Sequence, residues 1–338
     1  MVKIVQFQNF GDADVLELKD MPLKEPNKDE VRIKVEAIGI NRAEVMFRSG
    51  HYINKAEFPS RLGYDASGVI DAIGTDVSRF KIGDRVSTIP SSTMMQYGTY
   101  GESVIVPARA VTHHPKKLSA AEGVAIWMPF ITAYGALVEY GKVKSRDFVL
   151  ITAASSSVGY AAIQIAKAAG ATVIGTTRNI AKKQKLLDSG VDSVIVTTDE
   201  DLPTRIMDIT AGHGVDLIFD AIAGKFLKTL INAAAYGATI FEYGALDEGA
   251  LNENAVMTPF PLSILLQKGL KIQGYSVFEI TDNPDKLEEA KQYIHRGLKS
   301  GTLKPVLDHR IFSLEQIVEA HRYMESNQQN GKIVVTIS

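Results

Sequence analysis

Hydrophobic and polar positions change rhythm along the chain, and the change separates two kinds of structure. Over the first 120 residues the apolar positions fall in short alternating stretches. Val31-Arg32-Ile33-Lys34-Val35-Glu36-Ala37 alternates strictly, as a strand with one buried face does. Val69-Ile70-Asp71-Ala72-Ile73-Gly74 and Asp84-Arg85-Val86-Ser87 read as short strands closed by turns. Glycines at Gly39, Gly50, Gly63, Gly68, Gly74, Gly83, Gly98 and Gly101 leave no room for a long helix between most of them. This half predicts a partly closed β-structure.

From about residue 145 the pattern becomes regular. Phe148-Val149-Leu150-Ile151-Thr152 is the uniformly apolar run of a strand buried on both faces. After the small-residue turn Ala153-Ala154-Ser155-Ser156-Ser157, the residues Val158, Ala162, Ile165, Ala166 and Ala169 form one helical stripe. Gly170 stands where a helix end takes a left-handed residue, and Ala171 to Thr176 read as the next strand. The alternation continues through helices at 180–189, 202–210 and 225–234 and strands at 193–196, 215–220 and 238–243. Such alternation specifies a parallel, doubly wound α/β sheet. Helices at 285–298 and 314–327 and a strand at 332–337 follow.

Composition then narrows the function. The 338 residues carry 37 Lys and Arg against 39 Asp and Glu, a net charge of −2. That balance argues against a protein whose main task is gripping nucleic acid or an anionic membrane. Cysteine is absent, which removes disulfides, thiol nucleophiles, iron–sulfur clusters and thiolate zinc sites together. The start, Met1 to Phe7, reads as a strand rather than a signal peptide. The longest mostly apolar stretch, 123–138, is 16 residues with Pro129 inside it, short of the ~20 a spanning helix needs. A soluble cytoplasmic protein is expected.

A strand, a small turn and a helix start make an anion site, because free N–H groups and the helix dipole face the turn. The Rossmann fingerprint places glycines at three positions held here by Ala154, Ser156 and Gly159, so one of the three is present. The serines add hydroxyl donors for a pyrophosphate, and equally serve as helix caps. At the end of the second strand, Gly175-Thr176-Thr177-Arg178-Asn179, no acid appears between Gly159 and Asp188. An NAD-specific site carries a carboxylate there for the ribose hydroxyls. Arg178, with Thr177 and Lys182, instead predicts a clasp for the 2′-phosphate of NADPH.

Over its whole length the chain resembles the zinc-independent medium-chain dehydrogenases/reductases, in their quinone oxidoreductase-like branch. The resemblance rests on Gly39 to Glu44 with Arg48 to Tyr52, on Gly63-Tyr64-Asp65-Ala66-Ser67-Gly68-Val69, on Phe80 to Val86, on Thr132-Ala133-Tyr134, on the turn and helix 153–167, on Val215 to Asp220, and on Gly331 to Val334. It implies a GroES-like substrate domain from 1–123 and 272–338 around an inserted NADP-binding domain, 124–271, and a homodimer. The apolar strand Thr239-Ile240-Phe241, near a possible sheet edge, supports the dimer.

Zinc-dependent relatives use an early cysteine and a Gly-His-Glu histidine. Here Asn41 to Glu44 and Tyr64-Asp65 occupy those regions, so no metal is expected. Without a Lewis acid, hydride from NADPH suits acceptors that are already electrophilic: quinones, enones and alkenals. The resemblance implies Asn41 and Tyr52 beside the nicotinamide and Tyr64 as a third donor. It also implies cofactor contacts from Asn41, Thr132, Ser155, Ser156, Ser157, Val158, Thr177, Arg178, Lys182, Ala221, Ile222, Tyr243, Gly244 and Ala245. Arg48 is read as an ion-pair partner of Glu44, four residues back. Segments 91–100 and 246–261 are expected to shape the acceptor pocket. Two other readings stay open: a cofactor-binding protein with little catalysis, crystallin-like or RNA-binding, and an alcohol dehydrogenase, which the missing ligands disfavour.

Overall fold

The computed structural model describes residues 1–91, 93–247, 258 and 260–337. The chain divides into two compact units, 1–128 with 305–338, and 129–304.

In the first unit the long strand Glu30–Ile40 is bonded to three neighbours, Asp65–Ile73, Ser103–Pro107 and Lys332–Thr336, all antiparallel. The sheet continues through Arg85–Thr88 to Val111–His113, and Leu307–Ser313 flanks the other side. Register shifts at Arg32/Ile33 and Val35/Ala37 bend the central strand, which lets the sheet curl into a partly closed β-structure. Gly68 is required by that closeness: a Cβ there would lie 2.0 Å from the Lys34 carbonyl oxygen. One short helix, Arg42–Arg48, starts directly off the end of the central strand.

The second unit is a six-stranded, wholly parallel sheet. Its spatial order is Ser193–Val196, Thr172–Thr177, Phe148–Ile151, Val215–Asp220, Ala234–Glu242, Lys271–Gly274. Numbered along the chain this is 3-2-1-4-5-6, with the topological switch point between Phe148–Ile151 and Val215–Asp220. Leu150, Ile174, Ile195, Ile218 and Ile240 line one face and bury Leu202, Ile206, Leu230 and Ile231 from the crossing helices. Each such side chain contributes roughly 1.5–3 kcal/mol when fully buried.

Three expectations need correction. The sequence boundary at 271/272 falls at 304/305, because Lys271–Gly274 joins the parallel sheet as its sixth strand and the helix Pro284–Ser300 belongs to the same unit. For the same reason Thr239-Ile240-Phe241 is no edge: it lies between Leu217–Phe219 and Lys271–Gln273. The apolar stretch 123–138 is part of a longer helical run, 120–140. Among the described residues it alone has the length and composition to cross a membrane, and 83% of its apolar window is buried inside the protein.

Candidate cofactor and acceptor sites

In the parallel-sheet unit the turn after Phe148–Ile151 delivers the helix Ser157–Ala168. Ser156 is the cap: its Oγ accepts from the Gly159 N–H at 3.0 Å and its carbonyl from the Tyr160 N–H at 2.9 Å. That leaves the N–H groups of Ser157 and Val158 at the helix start for an anion, with Ser155 buried beside them. Gly159 lets the helix start pack closely on the turn, since a Cβ there would sit 2.5 Å from the Ala154 carbonyl oxygen. Ala153, one residue before the first fingerprint position, holds a left-handed φ of 45° and makes the turn tight. The capping role read for the serines thus falls to Ser156.

The strand ends at the switch point are stitched together. The Ala221 N–H donates to Thr152 Oγ1 at 2.9 Å, Thr152 donates in turn to Asp220, and Asp220 accepts the Ala223 N–H at 2.7 Å. Leu246 and Asp247 donate to the carbonyls of Ala221 and Ile222. Gly244 packs on Ala221, and Tyr243 stacks on Phe219 at 3.9 Å with its hydroxyl reaching Ser156. Ala221, Ile222, Tyr243 and Gly244 are thus gathered beside the turn, joined to it through Thr152 and Ser156, and Ala245 follows them in the chain. Glu242, which the sequence reading missed, lies in register with Asp220. Burial and that neighbouring carboxylate push its pKa up to about 9.

At the other end, Thr177 Oγ1 accepts the Asn179 N–H at 3.1 Å and shapes the turn after the strand. Arg178 is exposed there, and Lys182 closes the one-turn helix Ile180–Lys182. Thr132 is buried on the helix Trp127–Tyr134, an element separate from the turn.

The β-unit gathers a buried polar cluster. Lys332 forms an ion pair with Asp65 and donates to Asn41 Oδ1 at 2.6 Å. Asn41 Nδ2 donates to Glu44 and to Asp65, both at 2.9 Å. Glu44 also accepts the backbone N–H groups of Asn41 and, at 3.2 Å, Tyr64. Glu44, Asp65 and Lys332 are 0%, 2% and 1% exposed, so this network stands in low dielectric. Burial raises the Glu44 pKa to about 7, with Lys332 opposing and Asp65 assisting the shift. Lys332 was invisible as a site residue. Its signal was a lysine opening the apolar run Ile333-Val334-Val335.

Two sequence expectations change here. Both amide protons of Asn41 are already given to carboxylates, so it has no free N–H for a carbonyl. Arg48 does not pair with Glu44; its buried guanidinium pairs with Glu325 and donates to the Gly11 carbonyl at 2.7 Å. Beside this network the Tyr52 and Tyr64 hydroxyls lie 3.4 Å apart. Tyr64 is held at both backbone ends, its N–H on Glu44 and its carbonyl accepting Thr88 Oγ1 at 2.7 Å. Burial moves both tyrosine pKa values up, so both hydroxyls stay protonated donors at neutral pH. Of the pocket segments, residues 92, 248–257 and 259 lie outside the described residues.

Residues 27–116 match the alcohol dehydrogenase GroES-like domain and residues 157–294 the zinc-binding dehydrogenase domain. These two parts, in this order, define a medium-chain dehydrogenase/reductase. The chain is 32% identical over 342 residues to a Homo sapiens quinone oxidoreductase, covering 100% of this chain and 98% of the relative. It is similar to the Escherichia coli quinone oxidoreductase complexed with NADPH, at 26% identity, TM-score 0.88 and 99% coverage of both chains. An NAD-dependent alcohol dehydrogenase structure is similar too, at 31% identity, TM-score 0.87, and 99% and 100% coverage. The chain belongs to the quinone oxidoreductase family of that class.

Among the described residues no three His, Cys, Asp or Glu side chains gather, and Glu44 and Asp65 are engaged by Lys332, Asn41 and the Tyr64 N–H. A dinucleotide does fit: the free N–H groups of the helix start, the close-packed Gly159 and the stitched strand ends form its cradle.

Proposed function

We propose that this chain is an NADPH-dependent reductase that delivers hydride to a quinone, enone or alkenal without a catalytic metal, as a cytoplasmic homodimer. The observation that carries the reading is the end of the strand Thr172–Thr177. It bears no carboxylate, and it presents Arg178, whose guanidinium has no hydrogen-bond or ion-pair partner among the described residues. A carboxylate there would repel a 2′-phosphate, whereas a guanidinium grips it with parallel hydrogen bonds. The NADPH complex of the Escherichia coli relative supports the same cofactor.

When bound, NADPH supplies the hydride. Ser157 and Val158 offer N–H groups to the pyrophosphate, and the bonded loops after Val215–Asp220 and Ala234–Glu242 orient the nicotinamide end. Negative charge then develops on the acceptor oxygen. Tyr52, with Tyr64 as its hydrogen-bonded partner, supplies a neutral O–H donor to that oxygen. Asn41 acts as the peg that fixes Glu44 and Asp65 rather than as a donor.

The homodimer keeps an open strand as its support, but the strand is Lys271–Gly274, the last in the sheet. The test is NADPH oxidation with a small quinone and enone panel, comparing kcat/KM for NADPH and NADH. A preference for NADH overturns the cofactor assignment. NADPH binding without turnover favours the low-catalysis reading, and turnover only with added zinc and an alcohol favours the dehydrogenase of the 31% identical relative.

A further inference from the structure

The β-unit satisfies its buried arginines with oxygen acceptors. Arg32 donates to Asp71, to Glu25 and to the Lys24 carbonyl. Arg48 holds Glu325 and the Gly11 carbonyl. Arg61, only partly buried, differs. Its Nε and Nη2 are sealed from solvent and donate to nothing, and no ion pair or aromatic ring engages it among the described residues. Burial draws its pKa down, and no carboxylate opposes that shift.

The backbone around Arg61 is rigid. Ser60 exchanges two hydrogen bonds with Phe7, and the carbonyls of Leu62 and Gly63 accept Tyr100 and Thr99. The Arg61 Cβ packs on Gly98, where an added Cβ would lie 2.7 Å away. Two sealed N–H groups left without an acceptor are costly, and an anion that reaches them recovers that cost. Arg61 is three residues from Tyr64. Tyr64 lines a small cleft with Ser91, Tyr97 and Thr99, and the buried Ser91 hydroxyl has no partner among the described residues. Two unanswered donors thus stand on the segment that carries Tyr64 and on a segment that lines the cleft beside it.

We propose that Arg61 binds a carboxylate of the acceptor, so that the preferred substrate is a quinone or enone carrying a carboxylate away from the reducible bond. The inference rests on the reductase reading. The guanidinium suits a carboxylate because Nε and Nη2 form one parallel fork that receives both oxygens. Nη1, which is not sealed from solvent, makes the first contact, and the side chains over Nε and Nη2 must give way to admit the second oxygen.

The test uses vinyl ketones ending in a carboxylate, with three to six methylenes between (6-oxo-7-octenoate is one), beside their methyl esters. With NADPH, at least one acid is expected to exceed its ester in kcat/KM by about tenfold or more. In Arg61→Met the acid falls to the level of its ester, and the ester keeps roughly its wild-type value. Arg61→Lys, which keeps the charge and loses the fork, is expected to fall between. Equal use of acid and ester by the wild type overturns the inference without any variant. A variant that lowers acid and ester alike overturns it too. A readout independent of turnover separates the two readings: adipate should raise the melting temperature of the wild type and not of Arg61→Met, while dimethyl adipate should do neither. No turnover of any acceptor sinks the reductase reading, and the adipate shift still decides the anion site. Inorganic phosphate stabilising as well as adipate overturns the carboxylate assignment.

Discussion

Lys332 touches both Asp65 and Asn41, and through them it fixes Glu44 and the backbone of Tyr64. Lys332→Met should therefore strand two buried carboxylates. Breaking a buried pair from one side costs about 3–5 kcal/mol. Denaturant unfolding should show that loss, and Asp65→Asn added to Lys332→Met should recover part of it; full stability of the single variant would show the cluster to be inert. At the hydroxyl pair the expected change is kinetic. Tyr52→Phe removes one hydrogen bond to developing charge, worth roughly 1.5–3 kcal/mol, so turnover should fall about ten- to a hundredfold. NADPH affinity should hardly change, and unchanged turnover would make Tyr52 wall rather than donor. That Tyr52 and Tyr64 meet could be anticipated from the sequence because they lie only 12 residues apart. Lys332 could not be, because its partners lie 267 and 291 residues away.

Among elements, the parallel strands were the most legible, since burial on both faces writes an uninterrupted apolar run. The strands at 193–196 and 215–220 have the extents the pattern predicts. Lys271-Ile272-Gln273-Gly274 escaped because an edge strand needs only one apolar position, and that error displaced both the edge and the domain boundary. The free edge now expected to support a dimer is this one. Light scattering at micromolar concentration should give about twice 36.8 kDa, and a 36.8 kDa species would reject the dimer. At the end of Thr172–Thr177, Arg178→Ala should weaken NADPH about ten- to 150-fold and leave NADH nearly unchanged. Equal loss of both cofactors in a titration would show that Arg178 does not read the phosphate.

At the scale of the whole molecule, stability should depend on pH through Glu242. Its carboxyl titrates near 9 in the folded chain against 4.5 as the ordinary value, so the folded state holds a proton that the unfolded state releases. The stability tied to that proton is fully present below about 4.5 and is lost as pH rises toward 9. Glu242→Gln abolishes this loss. Its melting temperature should pull ahead of the wild type between pH 5 and pH 8 by about 2 °C or more, as a change above ~1 kcal/mol implies. A constant gap across that range would mean Glu242 is ionised throughout.

The pairing of Lys332–Thr336 with the central strand Glu30–Ile40 also sets an order of events during synthesis. Every hydrogen bond of the inserted parallel sheet is made within 148–274, so that unit can close while the ribosome is still extending the chain. The β-unit must wait. Until residue 332 emerges, Asn41, Glu44 and Asp65 are a nascent acidic pocket with no ammonium to close it, and the tyrosine pair has no firm footing. A ribosome stalled before that codon would carry a finished nucleotide-binding fold attached to an unfinished acceptor site.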